Sequence, residues 1–307
     1  MTLSGSRLPS PLRGIVPPLV TPLAGRDRLD VAGLERLIEH VMGGGVDALF
    51  VLGTTGEASG VSPRLRREVV ERTCRQVKGR RPVLVGVTDT YVGESIELAR
   101  YAAEVGAAAV VVAMPYYVPP AQDELFAYVR RVASEQALPV FLYNIPVLTK
   151  VGYEVETVRR LAEIEQVAGI KDSSGDIGYL RDVIAAAPRA GWSVLVGMEA
   201  LLAEGIGAGA HGCVPAGGNV EPRLFVELYE AAMAKDRAAI LRLTERMRLL
   251  HRIYALGPGL AWIVRGTKCA LECMGICSGR MAEPFRSCVA EEKEMIGRYL
   301  VEMGLMT

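Results

Sequence analysis

The chain reads as an α/β protein, a (β/α)8 TIM barrel with an appended C-terminal helical segment. Three observations lead there. Eight short β-branched or apolar runs recur along the first two thirds of the 307 residues, amphipathic stretches of helical period separate them, and no linker interrupts the alternation. The runs fall at 14–20, 46–52, 82–87, 108–113, 139–143, 167–170, 193–196 and 212–214. They are continuous rather than alternating in hydrophobicity, as strands covered on both faces are. Eight such units in unbroken succession argue for a closed barrel over an open sheet.

Each element has a local reason. Residues 1–12 carry Ser, Gly, Arg and Pro without an apolar stretch, which predicts a flexible N-terminal arm and no secretory signal. Asp30 is placed to cap a helix whose face is Val31, Leu34, Leu37, Ile38 and Val41, stopped by Gly43-Gly44-Gly45. Ser62-Pro63 opens the next helix, with proline near its first position. Amphipathic stretches at 94–105, 122–136, 154–164, 179–186 and 199–205 fill the remaining gaps. From 221 onward the pattern is helical only: 222–234, 237–254, a Gly257-Pro258-Gly259 break, 261–274 and 283–303. The expected division is a barrel over 13–225 and a helical segment over 226–307. Gly207, Gly209 and Gly212 have the spacing of a dinucleotide fingerprint, but a helix precedes them and a strand follows, the reverse of what that motif needs.

Composition narrows the function. Basic and acidic residues both number 35, so the formal net charge is zero. No basic stripe stands out, which argues against nucleic acid and anionic membranes as partners. No run has the length of a membrane span. A cytoplasmic protein acting on a small molecule is the expectation. Six cysteines without a secretion signal favour free thiols. Cys269, Cys273 and Cys277 recur every fourth residue, which fits a thiol stripe along one helix better than a zinc or iron–sulfur pattern.

In a barrel of this kind the active site is built at the C-terminal ends of the strands. Those ends read Thr21-Pro22, Gly53-Thr54-Thr55-Gly56-Glu57, Thr88-Asp89, Pro115-Tyr116-Tyr117, Tyr143-Asn144-Ile145-Pro146, Lys171-Asp172, Gly197 and Pro215-Ala216-Gly217-Gly218. Hydroxyls dominate, one lysine stands among them, and His40, His211 and His251 fall elsewhere. The ligands a metal site would want are absent from these ends, so no metal or cofactor is assigned. An amine half out of water at Lys171 favours its neutral, nucleophilic form, the chemistry of a Schiff-base enzyme. Taken alone, Lys171 reads more readily as a surface lysine and Tyr143 as ordinary core or rim, and Tyr116-Tyr117 reads equally as an exposed interface patch. The 53–56 turn, entering a helix, suits a substrate carboxylate, or serves turn geometry alone.

Three motifs together change those odds: Gly53-Thr54-Thr55-Gly56-Glu57, Tyr143-Asn144-Ile145-Pro146, and 169–176, Gly-Ile-Lys-Asp-Ser-Ser-Gly-Asp. With them the chain resembles the dihydrodipicolinate synthase / N-acetylneuraminate lyase family of pyruvate-dependent class I aldolases along nearly its whole length. The resemblance implies an imine between Lys171 and pyruvate or another 2-oxo acid, with Tyr143 relaying protons. It implies that Thr55 and the amides of its loop, Gly53 included, hold the carboxylate. Thr54 and Tyr117 would complete a hydroxyl relay, Tyr117 reaching in from a neighbouring subunit, since the family is usually a dimer of dimers. Gly197 and Val214 match pocket-lining positions.

The second substrate is where the pattern departs. Leu148 stands where the synthase subgroup has an arginine for the aldehyde partner's carboxylate, and a leucine cannot bind one. Lys150 would need another geometry. Of the acidic pair that the sialic-acid lyases carry after the strand ending at Gly197, only Glu199 remains, in Met198-Glu199-Ala200. Glu94 and Tyr116 match the family's lysine-effector pocket, while Pro63 and Arg66 stand where inhibited enzymes have histidines. These residues favour a carbon–carbon or carbon–oxygen lyase, a 2-oxo-3-deoxy sugar-acid aldolase or dehydratase or a 4-hydroxy-2-oxo acid aldolase. The alternatives are 4-hydroxy-tetrahydrodipicolinate synthase and a catalytically silent barrel that binds 2-oxo acids.

Overall fold

The computed structural model describes residues 8–187 and 190–307, so positions 1–7 of the expected arm lie outside the described residues. Among the described residues ten strands occur in the order β1 (Gly14–Ile15), β2 (Leu23–Gly25), β3 (Arg28–Leu29), β4 (Leu49–Val51), β5 (Val83–Gly86), β6 (Ala109–Ala113), β7 (Val140–Asn144), β8 (Val167–Asp172), β9 (Ser193–Val196) and β10 (Gly212–Cys213). Eight of them form one parallel sheet, ordered β1-β10-β9-β8-β7-β6-β5-β4. The ring closes where Pro18 bridges Phe50 in parallel and Asp47 N–H donates to Ile15 O at 2.9 Å. All eight expected runs carry a strand of this barrel, each shorter than or close to its apolar run. The antiparallel hairpin β2–β3 was not foreseen; its strands are too short to show a period.

Parallel strands need crossovers, and helices supply them. Asp30 caps helix Val31–Gly43, its side chain accepting from Gly33 N–H, and Ser62 caps Pro63–Val77 in the same way through Leu65 N–H. Period-2 geometry then sorts the strand residues. Phe50, Val111, Phe141, Tyr143, Leu195 and Val214 fill the barrel interior, while Val110, Val140, Leu142, Ile170 and Val194 pack outward with the helices. Complete burial of Phe50 or Phe141 contributes about 1.5–3 kcal/mol each. Leu12 is buried within the interior cluster, and its N–H donates to Ser193 Oγ at 3.0 Å.

After β10 the chain is helical: Pro222–Ala234, Arg237–Leu250, a 3-10 turn His251–Tyr254, Ala261–Cys273 and Ala290–Glu302. Residue 225 lies inside the first of these helices. The last helix starts at Ala290, later than the expected 283. Over 281–287 the backbone is taken up by side chains instead: Ala282 N–H donates to Glu57 and Met281 N–H to Ser287 Oγ. The expected cysteine stripe is also shorter, because the helix ends at Cys273 and Cys277 lies beyond it; Cys269 and Cys277 are buried. Gly209, at φ +109°, ends helix Leu202–Ala208 ahead of β10, so the Gly207–Gly212 spacing is a helix stop and a strand. Among the described residues no helix is long and apolar enough to cross a membrane.

Candidate active site at the C-terminal mouth of the barrel

β7 and β8 pair in parallel with Phe141 beside Gly169, Tyr143 beside Lys171 and Asn144 beside Asp172. The register puts Tyr143 and Lys171 side by side at the inward-facing tips. Lys171 is 6% exposed, with Nζ 4.1 Å from the centroid of the Tyr143 ring and 5.3 Å from that of Phe50. Among the described residues its Nζ has no hydrogen-bond or ion-pair partner, so no anion competes for the amine. The Tyr143 hydroxyl lies 3.2 Å from Thr54 Oγ1.

The next residue on each strand locks the tips together. Asn144 Nδ2 donates to Asp172 Oδ1 at 2.8 Å, Ser174 Oγ donates to Asp172 Oδ2 at 2.9 Å, and Ser173 N–H donates to Asn144 O at 2.8 Å. Burial pushes the Asp172 carboxyl above its ordinary range, and the bonds from Asn144 and Ser174 oppose that push. Gly197 N–H donates to Asp172 O at 2.6 Å, and a Cβ at Gly197 would stand 1.9 Å from Ser173 Oγ. Only glycine fits this close approach.

The 53–57 turn is set by packing and by a buried ion pair. A Cβ on Gly53 would come within 2.6 Å of the Phe50 ring. Glu57, at φ +52°, forms an ion pair with Lys268, which is fully buried on helix Ala261–Cys273. The second Glu57 oxygen accepts from Ala282 N–H at 2.8 Å, and Lys268 Nζ donates to Arg280 O at 2.6 Å. Burial lowers the Lys268 pKa, and Glu57 pulls against that shift. The expectation that this turn enters an α-helix is corrected. It passes into the 3-10 turn Ala58–Gly60, and the α-helix begins only at Pro63.

Lys171, Tyr143, Thr54, Thr55, Gly197 and Val214 line one cavity of about 280 Å³. Gly53 and Leu148 line a neighbouring cavity of about 270 Å³, which shares Thr54, Tyr143 and Ile145 with the first. Lys150 lines neither; its Nζ donates to Val147 O at 3.2 Å beside the unforeseen short helix Pro146–Thr149. Tyr117 is 91% exposed at φ +87° and, within one chain, joins neither cavity.

The expectation that all three histidines lie away from the site is also corrected. His251, in the turn after helix Arg237–Leu250, lines the Lys171 cavity together with Tyr254, Leu260 and Ile263. Its Nε2 lies 2.8 Å from Glu199 Oε1. The appended segment folds back over the barrel mouth, a long-range event that no local signal near His251 announces. Glu199 was visible as the carboxylate after β9; its partner was not.

Fold and geometry define the class: a (β/α)8 barrel with polar side chains gathered at its strand ends and an appended helical segment closing part of the pocket between them. The family model of the dihydrodipicolinate synthetase family matches residues 11–303, and the chain belongs to that family, whose members are lyases. It is 35% identical over 305 residues to a DapA-like lyase of Halobacterium salinarum, covering 98% of this chain and 97% of that one. It superposes on the dihydrodipicolinate synthase of Bacteroides thetaiotaomicron with a TM-score of 0.92 at 46% identity, covering 95% of this chain and 99% of that one. It also superposes on YagE, a prophage protein of the dihydrodipicolinic acid synthase family from E. coli K12 solved in complex with pyruvate. There the TM-score is 0.89 at 30% identity, covering 95% of this chain and 99% of the other.

Proposed function

We propose that this lyase works through an imine between Lys171 and the C2 carbonyl of pyruvate or a related 2-oxo acid. The observation that carries the reading is the adjacency of Lys171 and Tyr143 on paired strands, with Tyr143 in contact with Thr54 in the same cavity. Lys171 Nζ attacks C2, and the carbinolamine loses its hydroxyl as water, with Tyr143 supplying the proton. In the cleavage direction the C4 hydroxyl of the substrate gives up its proton and the C3–C4 bond breaks. The electron pair moves to the iminium nitrogen, leaving an enamine and an aldehyde. Protonation of the enamine at C3 and hydrolysis then release pyruvate. Thr55 and the amides of its turn are suited to the C1 carboxylate.

The preferred substrate is a 2-oxo-3-deoxy sugar acid or a 4-hydroxy-2-oxo acid. The second reading, 4-hydroxy-tetrahydrodipicolinate synthase, is supported by the name of the 46% identical structural neighbour. The exposed Tyr117 fits a homo-oligomer, in a dimer-of-dimers arrangement, in which one chain lends this hydroxyl to the next. Borohydride reduction with pyruvate is expected to add a single pyruvyl adduct mapping to Lys171, and Lys171→Met is expected to lose both the adduct and all lyase activity. An adduct elsewhere, or none in the wild type, refutes the imine.

A further inference from the structure

We infer that His251, beside Glu199, reads the far end of the substrate, and that the tail it accepts is uncharged and hydroxyl-bearing. This inference rests on the imine reading above and narrows it. Besides Lys171, the charged or chargeable acid–base side chains lining the cavity are Glu199 and His251, apart from the phenols of Tyr143 and Tyr254. Among the described residues lining the cavity there is no arginine or second lysine to pair with a tail carboxylate. Such a group would enter beside Glu199, whose side chain is largely buried, and two like charges there repel.

The same groups are well arranged for a hydroxyl. Glu199 Oε2 accepts from Gly217 N–H at 2.9 Å, while His251 Nε2 stands 2.8 Å from Oε1 without a well-formed hydrogen bond, so both side chains keep hydrogen-bonding capacity for a ligand. His251 Nδ1 has no partner among the described residues. The Tyr254 hydroxyl is buried without a well-formed hydrogen bond, and burial beside Glu199 holds it firmly protonated, a donor waiting for an acceptor. Leu260, Ile263 and Val264 line the cavity with apolar surface for the carbon chain.

Two substrates of equal length test this: 4,5-dihydroxy-2-oxopentanoate, ending in a hydroxyl, and 4-hydroxy-2-oxoglutarate, ending in a carboxylate. Both release pyruvate. The wild type is expected to favour the hydroxyl tail in kcat/KM by about tenfold or more. His251→Gln and Glu199→Gln should lower that ratio, chiefly through KM, and Glu199→Lys should reverse it. Pyruvate trapping at Lys171 serves as the control, since it does not involve the tail and reports folding in every variant. If the wild type traps pyruvate at Lys171 but prefers the carboxylate tail, or if the ratio is the same in the wild type and in trapping-competent variants, the role of His251 is refuted while the imine stands. If the wild type traps nothing, the imine reading fails and this one with it.

Discussion

The two halves of the Lys171 cavity are built in different ways. Lys171 and Tyr143 come from strand tips, where sheet register and the Asn144–Asp172 contact set their positions, and Thr54 comes from the turn after β4. Glu199, His251, Tyr254 and Ile263 come from the loop after β9 and from the appended segment, and they meet only because that segment packs over the mouth. Ladder hydrogen bonds leave little freedom for slippage, so the first half is rigid and encoded in short motifs. The second half depends on helix packing, which tolerates substitution and shift. A barrel of this design can keep its chemistry and change its substrate by altering the segment alone.

Variants at each half sharpen the contrast. Removing Lys171, as above, should abolish turnover. Tyr143→Phe should lower kcat by about 10²–10⁴-fold while leaving the fold intact, measured by pyruvate release at saturating substrate. A loss confined to KM would move Tyr143 out of the proton relay and make the strand-tip half a binding site only.

Lys268→Met tests how the halves are joined, because it strands buried Glu57 under the 53–57 turn. A loss of about 3–5 kcal/mol is expected in denaturant unfolding, with Glu57→Leu/Lys268→Met recovering most of it. Equal damage in single and double variants would show that the ion pair does not hold the segment to the turn.

A smaller effect belongs to the last helix. Glu292 accepts from Val289 N–H, and hydrogen bonding to Arg286 holds its pKa at about 2, below its ordinary 4.5. The folded state therefore prefers the carboxylate. The resulting stabilisation is full above pH 4.5 and is lost as pH falls towards 2. Glu292→Gln should destabilise the protein by about 1 kcal/mol at pH 7, with the difference from wild type shrinking across that window. A constant difference would deny the linkage.

The least change is expected from Leu148→Arg, a modest rise in turnover of aspartate semialdehyde with pyruvate. Leu148 borders the neighbouring cavity and is 41% exposed, so the guanidinium must reach across Ile145. No rise would show that a partner carboxylate is not read from that side.

Legibility followed the range of the interactions. The eight barrel strands could be read because double-sided burial writes continuous apolar runs, and the caps at Asp30 and Ser62 because a cap is made within three residues. Hairpin β2–β3 and helix Pro146–Thr149 were too short to show periodicity. The last helix starts later than its pattern predicts because Glu57, far away in sequence, takes up backbone at Ala282. His251 was set aside for the same reason, lying on no strand end.

The residues alone were enough for the barrel and for the lysine, tyrosine and threonines gathered at one mouth, because these follow from local periodicity and from strand ends that must converge, and for the family through the resemblance of three short motifs. Folding back the appended segment was needed to bring His251 and Tyr254 to Glu199 and to bury Lys268 against Glu57. Those contacts join elements from distant parts of the chain, and their geometry is set by packing over the whole molecule, which no stretch of sequence carries on its own.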